Sequence, residues 1–288
     1  MYTIVRLRNL LIALAAALAG ILAVGAPVYF TGTSAPVTGG GEIKLPVIMY
    51  HSLLKSRTST YVLSPDDFEK DLQYLKDNGF QTVIAADLIA YVGGNGSLPE
   101  KPVMITFDDG FLNNITYAVP LLEQYGMRAV IAVVGKYTED SEASGDRNPS
   151  YAYLNWEDIR QLIASDTVEI QNHSYDLHKK GPRIGADRKK GEAMEDYERI
   201  LGEDITTYRR LMDEKTGYTA AAFAYPLGEY SKSSEEVLKK QGFSATMTCR
   251  EKINTITRDP DCLFGLGRFN RPGGVSTGKF FERVLKGY

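Results

Sequence analysis

Cysteine is nearly absent from this chain: Cys249 and Cys262 are the only two in 288 residues. That excludes a cysteine-built zinc module, which needs three or four ligands at short spacing. Histidine is almost as scarce, with His51, His173 and His178 and none beyond. An excess of basic charge is also missing, because 33 Lys+Arg face 36 Asp+Glu for a formal charge of −3. Without a basic footprint, nucleic acid is excluded as an expected partner. No Gly-rich nucleotide loop follows the first predicted strand, which argues against a dinucleotide-binding open sheet. What remains, 43% hydrophobic and 24% charged residues, is an ordinary globular composition. It excludes wholesale disorder and a polytopic membrane protein.

Charge is missing in one place in particular. No Asp, Glu, Lys or Arg occurs between Arg8 and Glu42, and residues 10–30 are almost wholly apolar. A run of that length can span a bilayer core of roughly 30 Å as a helix. Arg6 and Arg8 before it favour an N-inside, C-outside orientation. Residues 1–30 therefore read as a retained membrane anchor, with a cleaved signal peptide as the alternative. Pro27 after Ala26 and the continuing Val28-Tyr29-Phe30 favour the anchor. In both cases the remainder is exported, and the expected location is extracytoplasmic: membrane-anchored, or secreted after cleavage. Residues 31–44 are a flexible linker rich in Thr, Ser, Pro and Gly. Residues 45–288 form one domain. Export leaves two readings of Cys249 and Cys262, a disulfide or two unrelated thiols.

The domain alternates strands and helices. Predicted strands are 45–50, 80–84, 103–107, 128–134, 168–172, 220–225 and 243–248. Helices begin at Ser64-Pro65 and at Asn155, each with a capping side chain and acidic residues in the first turn. Leu154 and Ile159 suit a hydrophobic staple around the second cap. Tyr197, Leu201, Ile205, Tyr208 and Met212 form a helical stripe that reads as core. Seven or eight βα units in about 245 residues predict an α/β fold: a parallel (β/α) barrel, complete or partly open.

Unusual residues collect at the ends of four strands: His51, Asp108-Asp109-Gly110, His173, and Pro226-Leu227-Gly228. In parallel α/β folds the carboxyl ends of strands share one face, so these residues should converge. Alone, Asp-Asp-Gly is an ordinary turn. His173 and His178 are five apart, unsuited to one face of a straight helix but suited to a strand end and an irregular turn. Two imidazoles and one carboxylate make a catalytic metal set that leaves positions open for water and substrate. Zinc is the expected ion, with cobalt, nickel or iron(II) as alternatives.

These residues resemble the polysaccharide deacetylases with a NodB-type domain, over roughly residues 45–285. Thr106-Phe-Asp-Asp-Gly110 matches that family's first motif in full. His173-Ser-Tyr-Asp-Leu-His178 is one residue longer than the usual second motif and looks like the subgroup acting on poly-N-acetylglucosamine. Pro46-Val-Ile-Met-Tyr-His51 and Phe223-Ala-Tyr-Pro-Leu-Gly228 fit the same subgroup. The resemblance implies that Asp109, His173 and His178 bind a divalent metal and that Asp108 is the catalytic base. It implies that the Leu227 backbone N–H stabilises the oxyanion. The implied activity is hydrolytic N-deacetylation of an extracellular N-acetylglucosamine polysaccharide, with release of acetate.

Two departures stand out. The family's usual acid is a late histidine, which this chain lacks, so His51 becomes the candidate acid, against a purely orienting role. The third-motif arginine that pairs with the catalytic Asp is replaced by Ala224. Arg268 or Arg271 could supply that charge, could bind substrate, or could lie in a solvated basic loop. Tyr225 and Pro226 are further candidate substrate contacts. Trp156, Tyr225 and Tyr230 form either a sugar platform or core. The missing arginine motivates a rival function, a catalytically silent wall-polymer binding protein on the same barrel. A glycosidase is disfavoured, since adjacent carboxyls cannot readily flank one bond at roughly 5 Å or more.

Overall fold

The computed structural model describes residues 41–288. The anchor or signal reading of residues 1–30 lies outside them, as does most of the linker. Among the described residues, no helix is long and apolar enough to cross a membrane. Ile43 and Lys44, assigned to the linker from sequence, instead open the first strand, β1 (Ile43–Leu45). It pairs antiparallel with Asn254–Ile256, buries Ile43 and Leu45 and leaves Lys44 exposed, a period-two pattern.

The strands that carry the site follow in chain order. They are β2 (Val47–Tyr50), β3 (Gln81–Thr82), β4 (Pro102–Phe107), β5 (Ala129–Val133), β6 (Val168–Asn172), β7 (Ala222–Ala224), β8 (Ala245–Met247) and β9 (Phe269–Asn270). Seven of them form the order β8-β7-β6-β5-β4-β2-β9, every pairing parallel, and β3 joins the start of β4. At the seam the chain entering β9 returns to β8. The Leu266 N–H donates to the Thr246 carbonyl (2.9 Å) and the Thr248 N–H to the Leu266 carbonyl (2.8 Å). The expected curled parallel sheet is therefore present. β9 was not foreseen, because two residues are too few to show a strand period.

Every residue of β2, β4, β5 and β6 is buried, as expected of parallel strands covered on both faces. Helix α1 (Pro65–Asp77) starts as its sequence dictates: Ser64 Oγ accepts the Asp67 N–H at 3.1 Å, and Phe68, Leu72 and Leu75 are buried. Helix α2 (Gly135–Ser144) was missed, since it begins with Gly and carries few apolar residues. Helix α3 (Trp156–Ile163) has a reciprocal cap. Asn155 Oδ1 accepts the Asp158 N–H, and Asp158 Oδ2 accepts the Asn155 N–H, both at 2.9 Å. Leu154 and Ile159 are fully buried beside it. Asn155→Ala leaves the Asp158 N–H without its acceptor and is expected to cost about 1 kcal/mol, read as a lower denaturant midpoint at unchanged slope. Helix α4 (Met194–Thr216) buries the predicted stripe, Tyr197, Leu201, Ile205, Tyr208 and Met212.

Candidate active site

The carboxyl ends of the strands open on a pocket of ≈ 930 Å³, within the range of small-molecule and cofactor sites. His51, Asp108, Asp109, His173, His178 and Leu227 all line it. The convergence expected from four separate strand ends therefore occurs.

Three non-glycine residues among those described have left-handed backbones: Asp109 (φ 71°), Ser174 (φ 77°) and Leu227 (φ 58°). All three sit at strand exits around this pocket. Such a conformation costs about 1–3 kcal/mol for each residue and persists only where the surroundings enforce it. Gly110 makes the first exit possible. Its φ is +75°, and a Cβ there would lie 2.9 Å from Val133 Cγ1. Asp109 is thereby turned toward the histidines that leave β6.

Asp109 Oδ1 lies 3.1 Å from His178 Nε2 and 3.6 Å from His173 Nε2. A tetrahedral ion with ligand bonds of 2.0–2.2 Å separates its ligand atoms by about 3.4 Å. One ligand atom from each of the three residues lies within 4.8 Å of the others. Asp109 Oδ1 is buried and has no hydrogen-bond partner, which is the state of an atom shaped for a cation. Both imidazoles are anchored through their other nitrogen. His173 Nδ1 is 2.8 Å from the Ala224 carbonyl, to which it can only donate, so its Nε2 keeps a free lone pair. His178 Nδ1 is 3.1 Å from the Tyr137 hydroxyl. The donor set fits a divalent metal, and zinc suits two imidazoles with one carboxylate.

Burial dominates the titration of these groups. It raises the Asp109 carboxyl to about 6, with the neighbouring Asp108 charge adding to the rise. It lowers His173 to about 4 and also lowers His178 and His51. At neutral pH both candidate histidine ligands are thus neutral, the form that binds metal. Asp108 goes the other way: although burial pushes its pKa up, the Arg268 guanidinium prevails and holds the carboxyl well below the usual range.

Arg268 fills the place left by Ala224. Nη1 donates to Asp108 Oδ1 at 2.6 Å and Nη2 to Oδ2 at 2.8 Å, a bidentate pair. Nε donates to the Thr248 carbonyl at 3.0 Å. The side chain is fully buried, so the charge-partner alternative holds and the expectation of a substrate contact at Arg268 is corrected. Arg271 is corrected as well. It is buried against Asp71 (Nε to Oδ2, 2.7 Å) in a network with Tyr50 and Thr277, which ties the C-terminal segment to α1. Its N–H also donates to the Met49 carbonyl at 2.9 Å.

Tyr225 and Pro226 are buried and do not line the pocket. Tyr225 stacks on Tyr230 at 4.5 Å, and Trp156 is buried in the main core. The sugar-platform expectation for these residues fails, and the core alternative stands. The pocket's aromatic rings belong to Tyr61, Phe111, Tyr151 and Tyr153. Tyr61 and Tyr151 are each 57% exposed, and they come from loops whose sequence carries no period to mark them. Cys249 and Cys262 are both free thiols, not a disulfide. Cys249 faces Met49 Sδ at 3.8 Å, and Cys262 faces the Thr257 carbonyl.

Leu227 occupies the turn after β7. The Gly228 N–H donates to the Tyr225 carbonyl and the Glu229 N–H to the Pro226 carbonyl, both at 3.1 Å. Those bonds leave the Leu227 N–H without a protein acceptor among the described residues, at the pocket wall. His51 packs its ring against Tyr61 with centroids 4.8 Å apart, and its Nδ1 is buried without a partner.

The model of the polysaccharide deacetylase family matches residues 95–246, more than half of the chain. YxkH of Bacillus subtilis is 26% identical over 248 residues, covering 86% of this chain and 78% of its own. The poly-beta-1,6-N-acetyl-D-glucosamine N-deacetylase of Escherichia coli K12 is 27% identical over 195 residues, 61% of this chain, and the match spans only 29% of that protein's length. Among solved structures, IcaB from Ammonifex degensii superposes with a TM-score of 0.68 at 28% identity, covering 85% of this chain and 97% of its own. The protein described here belongs to the polysaccharide deacetylase family, hydrolases that act on N-acetyl amide bonds.

Proposed function

We propose that the protein is a metal-dependent N-deacetylase of exported N-acetylglucosamine polysaccharide, with poly-β-1,6-N-acetylglucosamine as its substrate. One observation carries the reading. Asp109, His173 and His178 present three ligand atoms to one point, beside an acid, Asp108, that the ligand set does not use. The Escherichia coli relative's name supplies the substrate. The apolar run at 10–30 supplies the placement, outside the membrane and anchored to it.

When bound, a divalent cation would polarise the acetamide carbonyl and acidify the attacking water. The chain's own residues supply the rest. Asp108 takes a proton from the water, and each of its oxygens keeps a lone pair beyond those given to Arg268. Arg268 keeps that carboxylate ionised and fixed. The Leu227 N–H donates to the oxyanion as the carbonyl becomes tetrahedral. Arg268 makes the protonated Asp108 carboxyl a ready donor, so it gives the captured proton to His51, which passes that proton to the departing amine, and both groups end as they began. The silent-binder reading rested on a missing arginine, and Arg268 removes that reason.

The test is acetate release from an N-acetylglucosamine oligomer with added zinc or cobalt. Each product site should lose about 42 mass units, one acetyl exchanged for hydrogen. An oligomer that binds but is never deacetylated would overturn the enzyme reading. For the placement, a C-terminal epitope is expected to be protease-accessible on intact cells, and protection there would refute it.

Metal affinity should depend on pH with a defined sign. Binding needs Asp109 ionised and both imidazoles neutral. Above about pH 6 no proton competes at Asp109. Below that the apparent affinity should fall about tenfold per pH unit, and more steeply once His173 protonates near pH 4. Chelator competition from pH 8 to 4 reads the profile. A flat profile from pH 6 to 5 would remove Asp109 from the ligand set.

A further inference from the structure

We propose that Tyr137, which no sequence motif marks, is a positioning residue that fixes the tautomer and ring orientation of His178. The proposal rests on the metal reading above. Tyr137 stands in the first turn of α2, whose N-terminus docks on the loop between the two histidines. The Gly135 N–H donates to the Ser174 carbonyl at 3.0 Å and the Lys136 N–H to the Tyr175 carbonyl at 2.8 Å. Two of the helix's otherwise orphan donors thus hold the loop that carries His173 and His178.

The Tyr137 hydroxyl then meets two groups of His178. It lies 3.1 Å from the His178 carbonyl and 3.1 Å from His178 Nδ1. A phenol has one proton, and a carbonyl can only accept. Donation to Nδ1 would set two acceptor oxygens against each other. The arrangement that satisfies all three groups sends the Tyr137 proton to the carbonyl and the Nδ1 proton to the Tyr137 oxygen. His178 Nε2 is left with its lone pair toward Asp109 Oδ1, 3.1 Å away. The Ala224 carbonyl does the same for His173 from the opposite side of the sheet path. Tyr137 is itself held by Tyr153, with ring centroids 4.5 Å apart, so the hydroxyl is delivered by a packed ring.

His173 is fixed at the strand end, and the loop rises to the Gly135 and Lys136 N–H groups before His178 turns back toward Asp109. Asp204 secures the same rise from α4, accepting the Tyr175 and Asp176 N–H groups at 2.8 and 2.7 Å.

The test is Tyr137→Phe in the full chain, which keeps the ring contact with Tyr153 and removes only the hydroxyl. Zinc affinity is measured by chelator competition at pH 7.5, beside the parent and Tyr208→Phe. Tyr208 donates to the Gln171 carbonyl at 3.0 Å, near His173 in the chain but to neither ligand side chain, so its variant reports the loss of a buried hydroxyl close to the site as such. Tyr137→Phe should bind zinc about 10–100-fold more weakly than the parent, with Tyr208→Phe unchanged. Equal affinity of Tyr137→Phe and parent would overturn the assignment, as would an equal loss in both variants. A parent that binds no zinc would instead overturn the metal reading on which the proposal rests.

Discussion

Arg268→Met should lower the unfolding free energy by about 3–5 kcal/mol, the cost of leaving one buried charge without its partner. The side chain is buried, and both Asp108 oxygens depend on its two Nη groups. Removing it leaves a buried anion beside Asp109, with no cation to replace the guanidinium, because burial lowers the neighbouring imidazoles toward their neutral form. The carboxyl should then titrate upward, since burial raises it and its largest opposing influence has gone. Adding Asp108→Leu to Arg268→Met removes the second charge. The double variant should regain most of the loss, because apolar replacement of a whole buried pair is often neutral. Chemical denaturation of the parent and the two variants reads this directly. A loss under about 1 kcal/mol for Arg268→Met, the range of an exposed pair, would show that the pair is not structural.

The Arg268–Asp108 pair also shows where the sequence could and could not be read. Asp108, Asp109, His173 and His178 were legible because the chain has only three histidines, because the Asp pair and His173 each follow a strand with a clear apolar run, and because His178 comes five residues after His173. That the carboxyl ends of parallel strands share one face then sufficed to bring them together. Arg268 and Arg271 are three apart in Gly267-Arg-Phe-Asn-Arg-Pro272, each the right type for a buried carboxylate. Nothing local tells which one meets Asp108 and which meets Asp71. That choice is made by the parallel register of Phe269 on Ile48, a non-local pairing. Tyr137 was invisible for a similar reason: its helix begins at Gly135 with no capping side chain, and its role depends on where the histidine loop passes. The buried roles of Trp156 and Tyr225 follow from packing that strand-end position alone does not set. The capped helices were legible because a cap is decided within four residues of chain.

Asp108→Asn should lower kcat for acetate release by on the order of 10²–10⁴, the usual contribution of a positioned acid–base group. Zinc affinity should stay within about threefold, because Asp109, His173 and His178 keep their partners. The two measurements together separate base from ligand. A carboxamide is nearly the shape of a carboxylate but cannot take a proton from water, and its NH₂ group faces an Arg268 donor. Some stability should therefore be lost as well, though less than with Arg268→Met, since Asn still offers one acceptor to the guanidinium. If Asp108 were a metal ligand, zinc affinity would fall with kcat. If it were only a structural partner of Arg268, kcat would recover once the variant was measured well below its melting temperature. Parent-like acetate release from Asp108→Asn would require a different base. Asp109 would be the remaining carboxylate at hand, and taking up the proton would withdraw it from the metal.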